Sequence, residues 1–187
     1  MHLASCCALA LALAGSAISI THAEPAPQRT DGQAFSDPTY AYSLRLPRDW
    51  EPVANLAQGK VIRLSVVTPA RNRFIATIDS LDRRVTRASR FETIAETYVD
   101  PIVMRFLRVF KLMDGPRKVD DHSKPDSMRF WQGTSAFGEE TGPAMLLSLH
   151  AVRFGSNVMV NLVYMSTHSS KEEVQAVDRI MDSLTFD

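Results

Sequence analysis

The segment from Ala144 to Ser166 constrains this chain more than any other. It reads as two strands around Gly155-Ser156, and both alternating sets of side chains are largely apolar. Glycine first in a two-residue loop suits a type II′ turn. That loop sets a register with Arg153 opposite Val158, His150 opposite Asn161 and Leu147 opposite Tyr164. One face then carries Met145, Leu147, Leu149, Val160, Leu162 and Tyr164. The other carries Leu146, Val152, Met159, Val163 and Met165, with Ser148, His150 and Asn161 among them. Strands that are apolar front and back must be covered front and back. A single helical layer would leave one face wet, so the chain needs three layers.

The other elements of the chain, further strands of the sheet and the helices that cover it, are legible on either side of the hairpin. Tyr42, Leu44 and Leu46 alternate with Ser43 and Arg45 until Pro47, a half-buried strand. Trp50 follows in a turn, placed to plug the end of the sheet. Val61 to Val67 and Phe74 to Leu81 are the next two strands. Ser89-Arg90-Phe91-Glu92 has capping-box spacing, and Phe91, Ile94, Tyr98, Ile102 and Phe106 form one apolar stripe behind it. Pro101 predicts a kink or break in that helix. Arg117 to His122 and Met128 to Thr134 read as strands, the second placing Phe130 and Trp131 on opposite faces. After the hairpin, Ser170 to Glu173 is another capping box, and Val174, Val177, Ile180, Met181 and Leu184 form its stripe. The expected class is α+β: a mainly antiparallel sheet flanked by helices on both faces, an α/β/α sandwich.

The N-terminus carries an address. Ala8 to Ile20 is a run of thirteen uncharged residues, followed by Thr21-His22-Ala23. Small residues at −3 and −1 suit a signal peptidase, and the run is short for roughly 30 Å of hydrocarbon. Residues 1–23 are therefore read as a signal peptide cleaved near Ala23, with an inner-membrane anchor as the alternative. Residues 24–37, with Pro25, Pro27 and Gly32, read as a flexible lead, and 38–187 as a single domain. Both cysteines, Cys6 and Cys7, lie in the leader. A mature chain without cysteine forms no disulfide, thiolate nucleophile or Cys-based metal site, and suits a periplasmic or secreted location.

Charge narrows the partners. Lys plus Arg and Asp plus Glu are 21 each, which argues against nucleic acid, whose phosphates need a basic surplus. The balance is uneven along the chain. Residues 60–111 hold eleven basic against five acidic side chains, and residues 112–187 hold seven against eleven. Arg83, Arg84, Arg87 and Arg90 concentrate the surplus. On a helix, Arg83, Arg87 and Arg90 would share a face and form a landing surface for an acidic partner or an anionic membrane surface. The plainer reading is a solvated connector partly neutralised by Asp79 and Asp82.

No catalytic signature is present. No H-E-x-x-H or G-x-S-x-G occurs, and no two histidines stand four apart. In Asp120-Asp121-His122, neighbours on a strand point to opposite faces and do not converge. No metal site or cofactor follows. Ser148, His150 and Asn161 form a polar cluster on an apolar sheet face. This is either a small pocket for a ligand or partner beneath a helix, or a histidine satisfied by its cross-strand neighbour.

The order of elements resembles a family, the PsbP/Mog-type α/β/α sandwich, with DcrB-like and PsbP-related exported bacterial proteins nearest. Tyr42-Ser43-Leu44-Arg45-Leu46-Pro47-Arg48-Asp49-Trp50 is similar to the family's opening strand, and Ile180-Met181-Asp182-Ser183-Leu184-Thr185-Phe186 to its closing segment. The likeness spans most of residues 36 to 187. Where the family has a Gly-x-x-Ala turn between its middle strands, this chain has Lys124-Pro125-Asp126-Ser127. The resemblance implies a binding or accessory role, through contacts with a protein or small ligand in the cell envelope, and no known reaction. Two alternatives stand beside it: a hydrolase or metal-dependent enzyme centred on His150, and an inhibitor or immunity protein against an envelope toxin.

Overall fold

The computed structural model describes residues 28–30, 34–53, 62–109, 118–121, 124–138 and 142–187. Residues 1–23, which the sequence suggests are a signal peptide, lie outside the described residues. In chain order the elements are strands β1 (Gln28–Thr30), β2 (Ala34–Asp37), β3 (Tyr42–Arg45), β4 (Glu51–Pro52), β5 (Ile62–Val67) and β6 (Arg73–Ser80). Helix α1 (Phe91–Ile94) runs through a π-helical turn, Ala95–Val99, into α2 (Asp100–Val109). Strands β7 (Lys118–Asp121), β8 (Ser127–Gly138), β9 (Gly142–Arg153) and β10 (Val158–Ser166), helix α3 (Lys171–Asp182) and strand β11 (Thr185–Phe186) complete the chain.

The large sheet has the order β4-β5-β6-β10-β9-β8-β7, with every pairing antiparallel. The β9–β10 register is the one the sequence dictates: His150 faces Asn161 and Leu147 faces Tyr164. The turn itself differs. Ser156 N–H donates to Arg153 O at 3.0 Å, so Gly155 is the third residue of the turn rather than its second. Gly155 takes φ 84°, the left-handed region open to glycine. The tip is shaped by its neighbours: Phe154 N–H bonds Asp126 O and Gly155 N–H bonds Val85 O.

Both faces of this sheet are covered. Leu147, Leu149, Val160, Leu162 and Tyr164 pack with Val177, Ile180, Met181 and Leu184 of the α3 segment and with Phe35, Tyr42, Leu44, Leu46 and Trp50. On the reverse, Ile75, Phe130, Leu146, Val152, Met159 and Val163 pack with Ile94, Ala95, Val99, Ile102 and Val103. The class is α+β with three layers, as the doubly apolar hairpin requires.

Two sequence expectations are corrected. The strand Tyr42–Arg45 does not join the large sheet. It lies in a second antiparallel sheet of order β1-β2-β3-β11, which shares the α3 side. The reason lies in its patterning: Tyr42 and Leu44 are buried while Ser43 and Arg45 are not. A strand apolar on one side suits a covering layer. The lead to Asp37 is also too long, because Ala34–Asp37 pair with β3 and bury Phe35 and Asp37. Elsewhere Trp50 plugs the sheet edge-on to Phe74, with ring centroids 5.9 Å apart. Lys124 and Ser127 exchange backbone hydrogen bonds around Pro125-Asp126, a tight turn into β8.

Candidate functional site

The polar cluster lies on the α1–α2 side of the large sheet. Ser148 and His150 are two apart on β9, so they share a face, and Asn161 stands across on β10. His150 Nδ1 is 2.8 Å from Asn161 Oδ1, and His150 Nε2 is 3.0 Å from Ser148 Oγ. Asn161 Nδ2 donates to Asp79 Oδ2 at 2.8 Å, with Thr77 Oγ1 at 3.4 Å. An amide whose nitrogen donates to a carboxylate offers its oxygen as acceptor, so His150 carries its proton on Nδ1. Nε2 then accepts from the Ser148 hydroxyl. The chain of donors runs Ser148 to His150 to Asn161 to Asp79.

This order matches nucleophile, base and orienting group. Access does not match it. Ser148, His150 and Asn161 have exposures of 1%, 0% and 0%. Three clefts of the described surface lie away from the cluster, at the hairpin tip and along α3. Burial pushes the His150 imidazole down to about 4, against a smaller upward effect of the Asn161 hydrogen bond. At neutral pH it is an uncharged, satisfied group. One neighbour went unnoticed in the sequence. Gln132 is opposite Ser148 on β8 and buried, and among the described residues its amide has no hydrogen-bond partner. Its polarity at an inward position after Met128 and Phe130 was the available signal.

The four arginines do not form a helical face. Residues 81–90 are irregular, and α1 begins only at Phe91. Ser89 does not cap it: Ser89 Oγ accepts from Thr86 N–H at 2.9 Å, and Arg90 is the N-cap without a side-chain bond. The loop is nonetheless held in place. Val85 is fully buried between the exposed arginines. Leu81 N–H bonds Asn157 O at 2.7 Å, and Val85 N–H bonds Ser156 O at 2.8 Å. Arg83, Arg84 and Arg90 point outward, whereas Arg87 is committed: its Nη2 donates to Pro125 O at 2.8 Å and its guanidinium lies 5.9 Å from the Phe154 ring centroid. Lys124 and Arg153 are exposed on the adjoining loop and strand end, where they donate to the main-chain oxygens of Asp182 and Asp187. One end of the molecule therefore carries a basic platform on a fixed backbone.

The sequence did not foresee the buried pair Arg63–Asp37. Arg63 Nε and Nη2 donate to the two Asp37 oxygens at 2.7 and 3.2 Å, and the guanidinium lies 5.1 Å from the Tyr40 ring centroid. Asp120 and Asp121 lie in β7, and His122 falls outside the described residues. Among the described residues no helix is long and apolar enough to cross a membrane.

Neither a protein-family model nor a curated protein matches this chain. Solved structures do. A crystal structure from Bacteroides thetaiotaomicron is 10% identical at TM-score 0.49, over 84% of this chain and 49% of that one. The solution structure of cyanobacterial PsbP from Synechocystis sp. PCC 6803 is 10% identical at TM-score 0.57, over 92% of this chain and 98% of that one. With two covered faces, the hairpin register and this end-to-end superposition in hand, the chain has the PsbP-like fold.

Proposed function

We propose that this chain is an exported, non-catalytic accessory protein that docks an acidic protein partner on its arginine-bearing end. The observation that carries this is the loop 82–90. Its arginines are exposed while its backbone is pinned to the hairpin tip, so binding would cost little ordering entropy. Guanidinium groups suit carboxylates through paired N–H donors. Met104 is the large hydrophobic exposed among the described residues, and it belongs to α2 rather than to this loop. That favours a protein over a lipid surface, which would take an apolar wedge. The leader 1–23 supports export, and the family likeness supports an accessory role. The test is crosslinking in whole cells from a photoreactive group at Ala88, compared with the Arg83→Glu/Arg84→Glu/Arg90→Glu variant. Capture should fall at least about tenfold on reversal and weaken with added salt. Equal capture by both proteins overturns the reading.

A hydrolytic reading has one observation in its favour, the donor order at Ser148, His150 and Asn161. It requires α1 and α2 to lift. Labelling of Ser148 by a fluorophosphonate would support it and would count against an accessory role.

A further inference from the structure

A cleft of about 470 Å³ opens between the β9–β10 tip and the edge of the small sheet. Its lining includes Tyr40, Val158, Val160 and Phe186, which pack on the α3-side core, together with Arg153 and Phe154, whose ring packs on the opposite core. We infer that this cleft binds a small organic monocarboxylate with a flat apolar body. The volume is within the range of about 300–1,000 Å³ usual for small-ligand sites. Tyr40 and Phe186, the two aromatic rings on this side of the sheet, offer apolar surface to a planar group.

The charge is equally specific. Arg153 is the one cation among the lining residues. Arg63, which lies over Tyr40, is matched by Asp37 and serves to hold that ring. A single guanidinium balances one negative charge, whereas a phosphate dianion would be left half neutralised. Arg153 already holds an oxygen at this place: its Nη1 donates to the main-chain oxygen of Asp187. A ligand carboxylate could take that contact or use the remaining N–H groups. Ser156 Oγ accepts from Val158 N–H at 2.9 Å, which leaves its hydrogen to donate to the ligand. At Gly155 a Cβ would meet no atom within 4 Å, so the backbone there faces open space.

The inference stands apart from the arginine loop, and its test keeps the two separate. The isotope-labelled full chain is titrated with 3-phenylpropanoate and with its neutral amide, 3-phenylpropanamide. Amide shifts should centre on Gly155, Ser156, Val158 and Phe186, and the carboxylate should bind about tenfold or more tightly than the amide. Arg153→Gln should remove that preference, and Val158→Phe should block both probes while leaving the signals of β8 unchanged. Equal affinity for the two probes, an unchanged preference in Arg153→Gln, shifts centred on residues 83–90, or no saturation by about 10 mM would each overturn it.

Discussion

At His150, burial and hydrogen bonding act in opposite directions, and burial is the stronger. The consequence is an acid-sensitive fold. In the unfolded chain a histidine binds a proton near pH 6.5; in the folded chain this one does so only at about 4. Between those values the unfolded state holds more protons, so stability falls as pH falls through that window. The contribution is fully present above pH 6.5, is lost progressively down to about 4, and changes no further below. It amounts to roughly 3 kcal/mol at most. Urea unfolding of the parent and His150→Leu at pH 7 and near pH 4.5 checks this. The variant should be less stable at pH 7, because Asn161 Oδ1 and Ser148 lose their partner, and its pH profile should be flatter. Ala41 gives a prediction of the opposite sign. It holds φ 50°, which a β-carbon disfavours. Ala41→Gly should raise stability by about 0.5–1 kcal/mol, read as a higher melting temperature.

At the scale of elements, the two helical segments honour their sequence signals to different degrees. The α3 cap forms: Ser170 Oγ accepts from Glu173 N–H at 3.1 Å. Glu173 does not complete a reciprocal box. Its carboxylate accepts from Asn72 Nδ2, which also lies 2.7 Å from His168 O and 3.2 Å from the Tyr164 hydroxyl. The start of α3 is thus fastened to the β5–β6 turn, and Tyr164, partly desolvated there, is pushed up to about 12. Ser170→Ala should cost about 1 kcal/mol in denaturant unfolding. Pro101 acts through a device that periodicity does not reveal. Asp100 N–H bonds Ala95 O five residues back, a π turn just before the proline that lacks its own N–H. The helix continues, and Ile94, Ala95, Val99, Ile102 and Val103 all face the sheet.

For the whole molecule, the central strand governs cohesion. Strand β10 is paired along its length with both β6 and β9, and its side chains enter both cores. Its amides should exchange hydrogen most slowly, near the rate set by global unfolding. Those of the two-residue strands β4 and β11 should exchange fastest, and residue-resolved exchange measures both. Two buried arginines tie the layers together. Arg63 on β5 reaches Asp37 of the small sheet, and Arg129 on β8 donates through Nη2 to Leu184 O beyond α3. Loss of Asp37 would strip the buried Arg63 guanidinium of its carboxylate partner, a destabilising change.

The amino-acid sequence alone determines that the sheet is covered twice, which residues of β9 and β10 face each other, that His150 meets Asn161, and where α3 begins. Each of these is carried by side-chain periodicity or by groups within a few residues of one another, and such patterns report faces directly. Tertiary structure alone decides that Tyr42–Arg45 belongs to a second sheet, that Arg63 finds Asp37, and that the loop of Arg83 to Arg90 is irregular yet fixed. These depend on partners far apart in the chain. An apolar face is equally satisfied by any greasy surface, and a buried charge pairs with whichever opposite charge packing brings within reach.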